Sequence, residues 1–79
     1  MLNNKIKMIF TSKGIKQVDY ANKKNISKSQ LGNKIRNSAF SLKDLIELCD
    51  YAGASIKIID NDTGDQIVKF DINDIKKES

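Results

Sequence analysis

Side chains that can hydrogen-bond to DNA bases are concentrated in one short stretch, residues 25–37, NISKSQLGNKIRN. Lysine and arginine can donate to O6 and N7 of guanine, asparagine and glutamine can pair with adenine through two hydrogen bonds, and serine can serve either base. The residues of these types in the stretch are Asn25, Ser27, Lys28, Ser29, Gln30, Asn33, Lys34, Arg36 and Asn37. The alternative is a solvated helix face with no ligand, because polar residues are common on exposed helices.

The same stretch has poor helix-forming composition but a clear helix start. Gly32 in a helix interior costs about 1 kcal/mol relative to alanine. Ser27 followed by Gln30 is the pattern of a capping box, which predicts a helix beginning at Lys28. Leu31 and Ile35 supply a narrow apolar stripe, and residues 37–40 are expected to form the loop that ends the helix.

Charge is distributed unevenly along the chain. Residues 1–43 contain ten Lys or Arg against Asp19 alone, a net charge of +9, whereas residues 44–79 carry a net charge of −5. A block this basic favours an anionic partner such as nucleic acid over plain solubility. Further lysines of the first half are candidates for phosphate contacts or simply solubilising charges: Lys5, Lys7, Lys13, Lys23 and Lys43.

Length and composition exclude several classes of protein. A chain of 79 residues has room for one small domain, which buries only about 60 to 65% of its unfolded surface, so oligomerisation is expected. The single cysteine, Cys49, excludes an internal disulfide, and the absence of histidine removes the commonest metal ligand and general base. Without an apolar run long enough to span a membrane or act as a signal peptide, we expect a cytoplasmic protein.

Hydrophobic spacing predicts three more helices around this segment. The first covers about residues 2–13 and ends at Gly14, and the second runs from about Gln17 to Lys24. Asn25 then occupies a tight turn, and asparagine tolerates the left-handed conformation that such a turn can need. The fourth begins after Ser41, which with Asp44 repeats the capping pattern, and ends at Gly53.

Beyond Gly53 the hydrophobic period changes from that of a helix to that of a strand. Residues 55–60, SIKIID, and 66–72, QIVKFDI, are separated by a turn sequence containing Gly64, which predicts a β-hairpin. One face would carry Ile56, Ile58, Val68, Phe70 and Ile72, with Ile59 and Ile67 on the opposite face. The last residues, 73–79, are expected to be a polar tail with at most a short turn near Ile75.

Two short helices joined by a tight turn, the second capped and polar outside, form a helix-turn-helix arrangement. Residues 16–37, KQVDYANKKNISKSQLGNKIRN, resemble the DNA-binding element of the Cro/cI-type (XRE-like) repressor family. The resemblance extends over about residues 3–52 and is strongest at Gln17, Ala21, Ile26, Ser27 and Leu31. The sequence departs from the family at Lys16, where a Thr or Ser cap is usual, at Lys24, at Asn25, where Gly is usual, and at Val18.

The resemblance implies roles for individual residues. It predicts contacts with DNA bases from Lys28, Ser29, Gln30, Asn33 and Arg36. It also predicts contacts with the DNA backbone from Gln17, Lys16, Lys24, Lys34, Gly32 and Asn37. At Gly32 the missing side chain would let the helix backbone lie close to DNA.

The family also suggests a use for the hairpin. Some of its small repressors pair C-terminal strands across a twofold axis, and the equivalent interface here would contain Ile59, Ile67, Phe70 and Ile72. The alternative is a monomer whose hairpin packs over the fourth helix.

Taken together, the expected fold is mainly α with a C-terminal β-hairpin: a four-helix λ-repressor-like helix-turn-helix domain (1–53), a two-stranded antiparallel hairpin (54–72) and a polar tail (73–79). The expected function is sequence-specific binding of double-stranded DNA by a small homodimeric repressor of phage or mobile-element type. A protein-binding module, such as an antitoxin or a phage-encoded inhibitor, is the alternative.

Catalysis and metal binding are not expected. No nucleophile elbow, phosphate loop or pair of catalytic acids is present in the sequence, so we predict neither an enzyme nor a cofactor. Residues 60–65, DNDTGD, superficially resemble a calcium loop, but Gly64 and Asp65 stand where an EF-hand needs a ligand and a glycine. We therefore predict no metal site.

Overall fold

The structure is a computed structural model that describes residues 2–76, and within this range the chain forms five helices and one two-stranded sheet. In chain order these are α1 (Leu2–Ser12), α2 (Gln17–Lys23), α3 (Lys28–Arg36), α4 (Leu42–Tyr51), β1 (Ile56–Ile59), β2 (Gln66–Phe70) and α5 (Ile72–Lys76). The predicted mainly helical architecture with a hairpin after the fourth helix is confirmed. Residues 77–79 of the predicted tail lie outside the described residues.

Each of the first four helices ends in the same way. The backbone N–H of the residue two positions after the C-cap donates to a carbonyl of the last helical turn. After α2, for example, Ile26 N donates to Ala21 O at 3.0 Å. The residue just before that amide adopts a left-handed conformation, and these residues are Gly14 (φ 64°), Asn25 (φ 60°), Ser38 (φ 53°) and Gly53 (φ 73°). This is the Schellman motif, which satisfies carbonyls at a helix end. The left-handed turn predicted at Asn25 is therefore confirmed, whereas the one at Ser38 was not foreseen.

The chain divides into two compact units between Phe40 and Ser41. The first unit contains α1, α2 and α3, and α3 packs against both of the other helices. Its core contains six buried side chains, exposed by 3% or less, from Ile6, Phe10, Tyr20, Ala21, Leu31 and Ile35. The Phe10 and Tyr20 rings meet edge to face with centroids 5.7 Å apart, an arrangement that aromatic quadrupoles favour.

The second unit contains α4, the hairpin and α5. Both halves of the predicted capping box begin α4, since the Ser41 hydroxyl accepts from Asp44 N at 3.1 Å and the Asp44 carboxylate accepts from Ser41 N at 3.0 Å. Three α4 side chains are buried, Ile46, Leu48 and Cys49, and α5 packs against this helix. The predicted domain limits, 1–53, 54–72 and 73–79, stay predictions. They assign α4 to the first domain, whereas in the structure α4 belongs to the same compact unit as the hairpin.

The hairpin pairs its strands in the predicted antiparallel sense. Ile56 faces Phe70 and Ile58 faces Val68, so these four residues share one face, as predicted. Lys57 faces Lys69 on the opposite face. A β-bulge then shifts the register, so that Ile59 faces Gln66 and Ile67 becomes the extra residue of β2.

The prediction that Ile72 belongs to the second strand is wrong, because β2 ends at Phe70 and Ile72 is the first residue of α5. Asp71 causes the change of direction. Its carboxylate accepts from Asn73 N at 2.9 Å, while Asp74 accepts from Asp71 N at 2.8 Å. These two bonds satisfy free amides at a helix start, so the chain turns into a helix where the alternation of apolar residues had suggested more strand.

Candidate nucleic-acid interface

The start of α3 is fixed by its cap. The Ser27 hydroxyl accepts from Gln30 N at 3.0 Å, and the Gln30 side-chain oxygen accepts from Ser27 N at 2.8 Å, which confirms the predicted capping box. The Gln30 side chain is thereby used to hold the helix end. Pairing with adenine through two hydrogen bonds needs both polar atoms of an amide turned to the base, so Gln30 is poorly placed for its predicted role.

The remaining predicted base-contacting residues share the outer face of α3. Leu31 and Ile35 are each only 1% exposed and fix the inner face, while Lys28, Ser29 and Arg36 are exposed. An open concavity follows this outer face, and its lining comprises Gln17, Lys28, Ser29, Gly32, Asn33 and Arg36. The structure thus brings four of the five predicted base-contacting residues together with Gln17 and Gly32.

Gly32 has no structural reason to be glycine. It carries no positive φ, and a β-carbon placed on it would meet no atom within 4 Å. Neither backbone conformation nor packing within the described residues therefore demands its presence in a helix interior, where glycine is unfavourable. What its absent side chain leaves is open space at the floor of the concavity.

Asn33 and Arg36 are joined by a hydrogen bond on this face. Arg36 Nη1 donates to Asn33 Oδ1 at 2.7 Å across one helical turn. Both side chains are exposed. The two residues predicted to contact bases separately are thus linked to each other in the free protein.

A second concavity adjoins the first, since Gln17 and Lys28 line both. Its other lining residues come from α1, from the α1–α2 connection and from the start of α2: Lys7, Phe10, Thr11, Ile15, Lys16 and Val18. Lys7, Lys16 and Lys28 line it together with apolar side chains, so this surface can attract an anion. Val18 is 41% exposed there, and the sequence predicted no contact with DNA from Val18 or Thr11.

The residues that α1 contributes to the second concavity have a spacing that can be recognised in the sequence. Lys7, Phe10 and Thr11 are spaced by three and four residues, which places them on adjoining parts of one helix surface. The spacing alone does not tell which neighbouring helix this surface meets, so only the packed structure places Lys7 beside Lys16 and Lys28.

The other residues predicted to contact the DNA backbone lie at helix ends or, for Lys34, near an aromatic ring. Lys16 is the N-cap of α2 without a side-chain capping bond, Lys24 is its C-cap, and Asn37 is the C-cap of α3. Lys34 is half-buried, with its ammonium 5.5 Å from the centre of the Phe40 ring. Among the described residues, Lys24, Lys34 and Asn37 lie outside the linings of both concavities.

The predicted interface residues of the hairpin differ in exposure. Ile59 is 54% and Ile67 is 64% exposed, whereas Phe70 and Ile72 are half-buried. Ile58 and Val68, which were not predicted to lie at an interface, are also exposed, at 43% and 42%. The half of the hairpin next to its loop thus leaves four large aliphatic side chains in contact with solvent.

Comparisons with protein-family models, curated proteins and solved structures gave no match to this chain. Of the helices formed by residues 2–76, none has the length and apolarity needed to cross a lipid bilayer.

Proposed function

We propose that this protein is a sequence-specific double-stranded DNA-binding repressor of the helix-turn-helix type. In this proposal α2 and α3, joined by a four-residue connection, are the helix-turn-helix, and α3 enters the major groove. The observation that carries the proposal is the concavity along α3, because it brings Lys28, Ser29, Asn33 and Arg36 to a single exposed face. These side chains supply the donors and acceptors that read base edges.

Charge and shape support this use of the surface. The first unit, residues 1–40, carries nine Lys or Arg side chains against Asp19 alone, a net charge of +8. The second concavity places Lys7 and Lys16 beside the base-reading face, where they would contact the phosphates that flank a bound groove. Phosphate contacts of this kind provide most of the affinity and fix the orientation of the helix, while base contacts provide specificity.

We further propose that the repressor is a homodimer assembled through the hairpin, acting in the cytoplasm on an inverted repeat. An isolated two-stranded sheet is only marginally stable, and both strands of this one are edge strands. A twofold partner would cover exposed aliphatic residues and present two copies of α3 about 34 Å apart, one turn of the duplex. A role as regulator of a phage or mobile element follows only from the family resemblance.

Salt-dependent DNA binding tests this function. Fluorescence anisotropy with duplexes selected from a random pool, and with unselected duplexes, should show affinity falling with a log-log slope of about −0.9 for each phosphate contacted. Lys16→Ala should weaken binding to both duplexes alike, because a phosphate contact carries no sequence information. It should also reduce the magnitude of the slope by about 0.9, the value for one phosphate contact.

Lys57→Ala is the matched control, since it also removes an exposed lysine but from the hairpin. On half-site duplexes, where assembly through the hairpin plays no part, it should leave affinity and slope unchanged. Absence of DNA binding at low salt would overturn the proposal. Binding of a protein partner by the same basic face would then favour the alternative, an antitoxin or inhibitor module.

A further inference from the structure

The hydrogen bond between Asn33 and Arg36 determines which atoms α3 offers to DNA. A guanidinium group has donors and no acceptor, so the Asn33 atom facing Arg36 Nη1 at 2.7 Å must be the amide oxygen. The orientation of the Asn33 amide is therefore set by its neighbour. In return, the guanidinium is held by a charge-assisted bond at one of its nitrogens.

The outer face of α3 consequently presents mainly donors. The Asn33 oxygen is engaged by Arg36, and the Gln30 oxygen is engaged by Ser27 N at 2.8 Å. The groups left to meet a ligand include the Lys28 ammonium, the remaining guanidinium N–H groups of Arg36 and the Asn33 amide nitrogen. In the major groove guanine displays two acceptors, N7 and O6, whereas adenine displays one acceptor and one donor. A donor-rich face matches guanine.

We propose that Asn33 and Arg36 act as one specificity-determining unit that reads guanine. Arg36 donates to N7 and O6 of the base, and Asn33 is a positioning residue that holds the guanidinium in a fixed orientation. This inference rests on the proposed function and gives Asn33 and Arg36 individual roles that the sequence did not assign. Gly32 lies beside the unit and leaves space for a base edge to approach.

A competing arrangement uses the same hydrogen bond differently. An amide oxygen has two lone pairs, so Asn33 Oδ1 can accept from Arg36 and from the amino group of adenine while Nδ2 donates to adenine N7. In that case Arg36 would be the positioning residue and adenine the base. The two arrangements make opposite predictions for Asn33→Asp, because a carboxylate still accepts from Arg36 but has no proton to donate to N7.

The test compares base preferences at each position of a duplex selected from a random pool by the 79-residue chain. Anisotropy competition is measured with duplexes changed at single base pairs, for the wild type, Asn33→Ala, Asn33→Asp, Arg36→Ala and the double variant with Ala at both positions. Asn22→Ala is the matched control, since Asn22 is an exposed helical asparagine outside both concavities.

We expect Arg36→Ala to reduce preference for one guanine by about 5- to 150-fold, the range for a good bidentate pair. Asn33→Ala should reduce preference at the same base pair by less, and the double variant should lose no more than Arg36→Ala, because the two residues act together. Asn33→Asp should retain the preference, although overall affinity falls through repulsion of phosphates. Replacing that guanine with 7-deazaguanine, which lacks N7, should weaken binding by the wild type but hardly affect Arg36→Ala.

Each result bears on the inference. If Asn33→Ala and Asn33→Asp both lose preference for an adenine, the inference is overturned in favour of the competing arrangement. Additive losses at two different base pairs would overturn the idea of a single unit. In both cases DNA binding itself persists, and the proposed function stands. If no duplex is enriched from the pool, the proposed function and this inference both fail.

Discussion

At the residue scale, Gly32 is a position where stability and the proposed DNA binding favour different residues. Open space surrounds the position of its missing side chain, and its backbone is helical without a positive φ. A position with these properties favours alanine for stability. Its glycine therefore makes sense if the α3 backbone approaches DNA closely.

Gly32→Ala should raise the free energy of unfolding by about 0.5 to 1 kcal/mol and weaken DNA binding. Urea denaturation and anisotropy measure the two effects on one sample. Gly53→Ala is the contrasting variant, because Gly53 has φ 73° and any side chain there strains the helix end, so its stability should fall. Unchanged DNA binding by a folded Gly32→Leu variant would contradict the assigned role.

A second residue, Cys49, links stability to pH. Burial raises the pKa of the Cys49 thiol above its ordinary value of 9.0. As pH rises above 9.0, the unfolded chain loses this proton while the folded chain keeps it, so the free energy of unfolding must fall.

Urea denaturation at about pH 8 and about pH 10 should show a steeper loss of stability for the wild type than for Cys49→Ala. The two proteins differ only at this side chain, so the difference between their slopes isolates the thiol. Parallel pH dependence of the two would mean that Cys49 titrates equally in both states.

At the scale of elements, helix ends account for how well the fold can be predicted from the sequence. Gly14, Asn25 and Gly53 follow helices that they end, and Ser27 and Ser41 precede helices that they cap, so these limits agree with the structure within one or two residues. The α5 helix was missed although Asp71 and Asp74 repeat the same capping pattern, because the alternation through Val68 and Phe70 suggested that the strand continued.

Only the part of the candidate site that lies on a single helix could be predicted from the sequence. The outer face of α3 follows from spacing along a single helix. The hydrogen bond from Arg36 to Asn33, the use of Gln30 as a cap and the position of Lys7 beside Lys16 depend on rotamers and on helix packing, which spacing does not specify.

Ser27→Ala tests the importance of the α3 cap. The variant loses the hydroxyl that accepts from Gln30 N, while the backbone N–H of residue 27 can still donate to the Gln30 side chain. Loss of this capping bond should cost about 1 kcal/mol of stability, within a range of roughly 0.5 to 2. Ser29→Ala provides the comparison in chemical denaturation, because Ser29 lies inside the helix, where alanine is at least as favourable. Equal stability of Ser27→Ala and the wild type would mean that the cap contributes nothing to folding.

At the scale of the whole molecule, the proposed dimer depends on the exposed residues of the hairpin. Ile67→Asp would place a charge in the proposed interface, so sedimentation should shift from dimer to monomer, and binding to an inverted repeat should weaken more than binding to a half-site. Met8→Asp is the matched control, because Met8 on α1 is 65% exposed and Ile67 is 64% exposed. An unchanged sedimentation coefficient for Ile67→Asp would rule out a hairpin dimer.

The facing lysines of the hairpin have a consequence for the newly made chain. Lys57 and Lys69 lie directly opposite each other, which weakens the sheet slightly. Each also interrupts an aliphatic run that would otherwise favour cross-β stacking. In a fibril of identical strands, like charges would repeat every 4.8 Å or so, so the two lysines act as gatekeepers against aggregation.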